Sequence, residues 1–236
     1  AGESYAAGGI GGLEIAPWVT TGFSLTSAKS PTDAYAVDPK TLTVTRWTQS
    51  ETGGLDPNVN IEPEFVEVKS FDKEPVSGFL YRPDPKKFPG KRPLIVNIHG
   101  GPEAQFAPGF MGRNNYLLNE LGVAIFFPNV RGSTGFGKRF VSLDNGPFKR
   151  EDSVKDIGAF LDHFDKDANL DKARFAVTGG SYGGYATLTG LTFTPDTFKC
   201  GVDIVGPQHP VDQHHRRVDR LREAETALLV QVVELL

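Results

Sequence analysis

Hydrophobic and polar positions change their rhythm near residue 60. Before it, short β-type runs cover residues 18–26, 33–38 and 42–48, with no helical stretch between them. The last two flank Asp38-Pro39-Lys40-Thr41, whose proline and aspartate predict a hairpin turn. A meander of antiparallel strands is therefore expected over residues 1–60, opened by Gly8-Gly9-Ile10-Gly11-Gly12 and closed by a linker at Gly53–Asn58. Beyond it, residues 65–69 and 77–81 alternate as half-buried strands should. Residues 93–99 and 123–127 are continuous apolar runs, the pattern of strands buried on both faces. Residues 149–164 place Val154, Ile157, Phe160, Leu161 and Phe164 on one helical face. Two further buried strands are expected at 175–178 and 202–205, and a helix from Tyr185. Strands alternating with helices of this length predict a doubly wound α/β sheet over residues 61–207.

Within that frame, Gly179-Gly180-Ser181-Tyr182-Gly183 falls between a strand and a helix. A strand–G-x-S-x-G–helix arrangement is a nucleophile elbow, a turn so tight that small residues are needed two positions either side of the serine. It lifts the serine oxygen clear of the sheet at the positive end of the following helix. Ser181 is thus the candidate nucleophile of a serine hydrolase. An oxyanion needs two donors aimed at one point. The backbone N–H of Tyr182 is one candidate. The second is expected from His99-Gly100-Gly101-Pro102, after the buried strand, with Gly101 favoured over Gly100. His99 precedes the serine, the wrong chain order for the base of this fold, and reads better as a structural histidine at a strand end. The loop Asn129-Val130-Arg131-Gly132-Ser133-Thr134-Gly135-Phe136-Gly137 follows the other apolar strand, and Arg131 reads better as a loop pin than as a substrate ligand.

These motifs, together with Lys149-Arg-Glu-Asp-Ser-Val-Lys-Asp156, resemble the catalytic domain of the prolyl oligopeptidase family, on the side of its acylaminoacyl-peptidase and dipeptidyl-peptidase-like members. The resemblance covers residue 61 to about 207. It implies an α/β-hydrolase fold, a peptide or small ester as substrate, no cofactor and no metal. It also implies a β-propeller before the hydrolase domain, which makes the opening meander resemble the end of a last propeller blade.

The resemblance stops near Pro207. The fold's order is Ser, then Asp, then His on later strands, and each strand–helix unit takes roughly 30 residues. Only 55 residues follow Ser181. The orienting acid and the base are therefore expected outside this sequence, with the sheet unfinished, its edge open to self-association, and little turnover from the 236-residue chain. Residues 208–236 read as an atypical tail. His209, His214 and His215, with Asp203 or Asp212, are a weaker candidate base and acid, because no strand end presents them. The adjacent His214 and His215 diverge in regular structure, which disfavours a metal site.

Charge and composition exclude more than they assign. A net charge of −4 with acids and bases interleaved offers no basic face for nucleic acid. Cys200 stands alone, so no internal disulfide can form. The longest apolar runs, 122–127 and 227–233, fall far short of the ~18 residues of a membrane span. None of this fixes a compartment.

Overall fold

The computed structural model describes residues 8–16, 21–145 and 149–206, so residues 208–236, with His209, Asp212, His214 and His215, lie outside the described residues. Two compact units emerge, residues 1–63 with 107–120, and residues 64–106 with 121–236.

The first unit holds a four-stranded antiparallel sheet in the order β1-β2-β3-β4: β1 (Gly8–Ile15), β2 (Thr21–Ser27), β3 (Ser30–Val37) and β4 (Val44–Arg46). Asp38 makes the expected turn, its Oδ1 accepting from the N–H of Lys40 at 2.8 Å and of Thr41 at 3.3 Å. At its centre Asp33 is buried. Burial works to raise its carboxyl pKa, but hydrogen bonds from Thr48, Arg46 and Ser50 bring it down to about 2. The strand β1 carries no sequence signal, because its glycines supply neither side chains to alternate nor β propensity. The same unit includes a short helix, α1 (Asn114–Asn119). Its 107–120 segment is tied in where Phe110 N–H donates to Thr26 Oγ1 at 3.2 Å.

The second unit is built on a six-stranded mixed sheet. Its strands are β5 (Glu64–Lys69), β6 (Pro75–Tyr81), β7 (Arg92–Ile98), β8 (Ala124–Asn129), β9 (Leu170–Gly180) and β10 (Cys200–Ile204), in the order β10-β9-β7-β8-β6-β5. Four neighbours, β10 to β8, run parallel, and β6 and β5 are antiparallel additions. The helices are α2 (Lys138–Val141), α3 (Arg150–Phe164) and α4 (Tyr182–Phe193). The core centres on Phe126 of β8, whose ring lies 4.7 Å from Phe160 and 4.8 Å from Phe164 of α3. These are two of the five residues expected on the helix's apolar face.

One expectation changes. Instead of alternating, β6 is buried on both faces over most of its length, because β5 and β8 flank it and make it an internal strand. For the site, the register of the parallel strands matters most. Ile98 pairs with Gly179 and Ile204 with Gly180, so β7, β9 and β10 end side by side at the carboxyl edge of the sheet. That edge is where ligands bind in sheets of this kind.

Candidate active site

A tight turn lies at the end of β9. Ser181 adopts φ 54° and ψ −118°, between the last strand residue, Gly180, and the first helical residue, Tyr182. Its own N–H donates to Ile204 O at 3.0 Å, and its carbonyl accepts from Tyr185 N–H at 3.1 Å. The flanking glycines have no room for side chains. A Cβ on Gly179 would lie 2.4 Å from the carbonyl carbon of Gly183, and a Cβ on Gly183 would lie 2.1 Å from Ile98 O. Strand end, helix start and the end of β7 therefore meet backbone to backbone, and Ser181 is left exposed above them.

Tyr182 contributes its backbone here and its side chain elsewhere. Its N–H belongs to the first turn of α4 and so has no partner within the helix. The phenol is buried against α3, where its hydroxyl meets Ser153 Oγ and donates to Arg150 O at 3.3 Å. Burial pushes the phenol pKa up, so the ring is a neutral anchor.

The loop after β7 closes in from the other side. A Cβ on Gly100 would sit 3.5 Å from Ser181 Cβ and 3.2 Å from Gly180 O, so Gly100 lies directly against the elbow. Gly101 follows at φ 119° and is exposed. Both nitrogens of His99 are engaged, Nδ1 with Gly100 O at 2.7 Å and Nε2 with Ser133 Oγ at 3.0 Å. Burial lowers its pKa, and the bond to Gly100 works against that.

Arg131 is buried and bonded within the protein. Its Nε and Nη2 reach Asp156 at 3.0 Å and 2.8 Å, its N–H donates to Asp156 Oδ2 at 2.8 Å, and its fork clasps Asp72 at 2.9 and 3.0 Å. It pins its loop, as the sequence suggested. Those Arg131 bonds hold the Asp72 carboxyl down at about 2. Asp203 is also occupied, its Oδ1 accepting from Gly206 N–H at 2.9 Å. The second described histidine, His163, lies in α3 with its ring 5.5 Å from that of Phe164.

Three participants escaped the sequence reading. Ser133 and Ser153 lay inside quoted motifs, but nothing in the pattern gave their partners. Asp144 is fully buried, and neither carboxylate oxygen meets a hydrogen-bonding side chain or neighbouring backbone group among the described residues. It lies against Gly132, where a Cβ would come within 2.6 Å of its Cγ. Burial pushes its pKa up, with the charge of Arg150 opposing. A raised carboxyl pKa contributes stability below the unfolded value, about 3.9, and loses it as pH rises through the folded value. Asp144→Asn should therefore be more stable than wild type at pH 7, on the order of 1–3 kcal/mol, with the gap closing toward pH 4. Urea midpoints measured across that range check this, and a less stable Asn variant at pH 7 would show that the charge is useful.

Parts of the chain are similar to known proteins. Residues 108–218 match the model of the prolyl oligopeptidase family. The dipeptidyl aminopeptidase BIII of Pseudoxanthomonas mexicana is 43% identical over 152 residues, which is 61% of this chain and 22% of that protein. The dipeptidyl peptidase family member 6 of Caenorhabditis elegans is 47% identical over 116 residues, 49% of this chain and 15% of that protein. The chain thus spans about a fifth of the length of these relatives or less. Among solved structures, the Pyrococcus horikoshii acylaminoacyl peptidase superposes with a TM-score of 0.70 at 24% identity, covering 86% of this chain and 32% of that one. That likeness establishes the α/β-hydrolase fold.

Proposed function

We propose, from the premise that residues 108–218 are prolyl oligopeptidase family sequence, that this chain supplies the nucleophile and oxyanion hole of a serine peptidase acting on short peptides. The observation that carries the reading is Ser181 itself. It is an exposed residue held at φ 54° on the N-terminus of α4, against Gly100 of the loop that follows β7. In this reading Ser181 Oγ attacks the scissile carbonyl carbon and gives up its proton to a base. The carbonyl oxygen becomes an oxyanion held by the N–H groups of Tyr182 and Gly101. Collapse of the tetrahedral intermediate expels the amine and leaves an acyl-enzyme, which water then hydrolyses. The base is assigned to neither described histidine, because His99 has both nitrogens engaged and His163 packs beside Phe164 in α3.

The names of the relatives favour amide over ester substrates, and the same machinery cleaves both. A fluorophosphonate, which needs an activated serine, tests the reading. The adduct should appear by mass spectrometry on the tryptic peptide 175–199, which contains Ser181. An adduct elsewhere, or none in a form that hydrolyses an aminoacyl-p-nitroanilide, overturns the assignment. A chain that neither labels nor hydrolyses supports a non-catalytic domain instead.

A further inference from the structure

Helix α4 starts at the attacking serine and at one oxyanion donor, yet its first turn lacks the usual means of holding still. Ser181 stands at the N-cap position and makes no side-chain capping bond among the described residues. Gly183 and Gly184 follow, and neither has room for a side chain. A Cβ would lie 2.1 Å from Ile98 O on the first and 2.1 Å from Asp203 Oδ1 on the second. Glycines give a helix more backbone freedom and less stability than any residue but proline. Of the three residues that open α4, Tyr182 is the one whose side chain can reach another element.

That side chain is buried, and its hydroxyl meets Ser153 Oγ in the first turn of α3. Ser153 Oγ–H donates to Arg150 O at 2.7 Å, so the serine oxygen is free to accept. The single phenol proton is shared between it and Arg150 O, the latter at 3.3 Å. Burial holds the phenol in its neutral, donating form. The mooring is itself fixed. Asp156, one turn along α3 from Ser153, bonds Arg131, and Phe160 and Phe164 pack on Phe126 in the core. A tyrosine side chain turns about few bonds, so fixing its hydroxyl leaves the N–H of the same residue little room to swing.

We infer that the Tyr182 side chain, moored to Ser153 and Arg150 O on α3, is a positioning residue that holds the first turn of α4, so that Ser181 and the Tyr182 N–H stay aimed at the substrate carbonyl. The inference deepens the reading of Ser181 and Tyr182 proposed above and rests on it. The phenol acts through the backbone it is attached to, not on the reacting atoms.

The test compares wild type with Tyr182→Phe, Ser153→Ala, the double variant and Ser181→Ala in the full chain. Phenylalanine keeps the ring and the N–H, and Ser153 keeps its bond to Arg150 O, so no buried hydroxyl is stranded. Misplacing a catalytic group by about 1 Å can cost roughly 10²-fold, so a loosened turn should lower kcat about 5–20-fold in Tyr182→Phe, with KM within about twofold. Ser153→Ala leaves the phenol its second acceptor, Arg150 O, and should cost about two- to fivefold. The double variant should fall no further than Tyr182→Phe alone, because both changes cut one link. Unchanged kcat in Tyr182→Phe, a loss confined to KM, or losses that multiply in the double variant overturns the inference. If Tyr182→Phe fails to fold, Ser153→Ala decides by the same readouts. Full activity in Ser181→Ala defeats the underlying reading whatever Tyr182 does. Amide hydrogen exchange needs no turnover. The N–H of Tyr185, bonded to Ser181 O at 3.1 Å, should exchange about tenfold faster or more in Tyr182→Phe, while the amides of β7 keep their wild-type rates. Equal exchange at Tyr185 in the two proteins would overturn the inference.

Discussion

Replacing Ser181 should end hydrolysis without costing the fold anything. In a form of the protein that cleaves an aminoacyl-p-nitroanilide, Ser181→Ala should lower kcat on the order of 10⁶-fold, leaving only what the oxyanion donors and binding provide. Ser181→Gly should lose as much and yet be no less stable. The reason lies in the backbone. At φ 54° a residue with a Cβ pays about 1–2 kcal/mol that glycine does not. Glycine gives back about 0.4–1 kcal/mol through the greater freedom of its unfolded chain. The net expectation lies between zero and about 1.6 kcal/mol of added stability. The serine is held in its strained conformation by its N–H bond to Ile204 O and by backbone contacts through Gly179 and Gly183. Thermal unfolding of both variants checks this. A clearly less stable Ser181→Gly would mean that the side chain contributes a contact of its own.

Breaking the ion pair beneath the loop should have the largest effect on stability. Arg131→Met should cost about 3–5 kcal/mol, because it leaves a fully buried carboxylate without its counter-charge. Burial already pushes the Asp156 carboxyl up, and the bonds from Arg131 and Ser70 are what oppose it. With the guanidinium gone, Asp156 keeps Ser70 and the residue 131 N–H among the described residues. Asp72 adds little, since its side chain is 42% exposed and screened by water. The double variant Arg131→Met/Asp156→Leu should cost less than the two single changes added together, because no unpaired charge remains. Urea midpoints of the singles and the double measure the coupling. A cost below about 1 kcal/mol for Arg131→Met would show that the pair does not hold the loop.

That pair also illustrates why part of the site could not be read in advance. The helical period of residues 149–164 located α3, but it gave no reason for Ser153 and Asp156 to be buried. Both polar residues face inward because Tyr182 and Arg131 arrive there from elsewhere in the chain. Helix α4 was legible only from Tyr185, since Gly183 and Gly184 hide its first turn and burial on several sides erases its periodicity. The glycine-rich β1 and the short α1 and α2 were missed for a related reason, namely that too few residues carry a repeating pattern.

By itself the sequence determined the alternation of strands and helices, the elbow and its serine, and the glycine loop that faces it. Each of these depends on local backbone chemistry, which is to say hydrophobic period, turn residues and the absence of Cβ atoms. Tertiary structure alone decided which distant groups meet. It brought the ends of β7, β9 and β10 to one edge, buried Asp144 without a side-chain partner among the described residues, and placed Ser133 against His99. Those outcomes follow from strand order and register, and a hydrogen bond between residues 34 positions apart leaves no trace in the spacing of either.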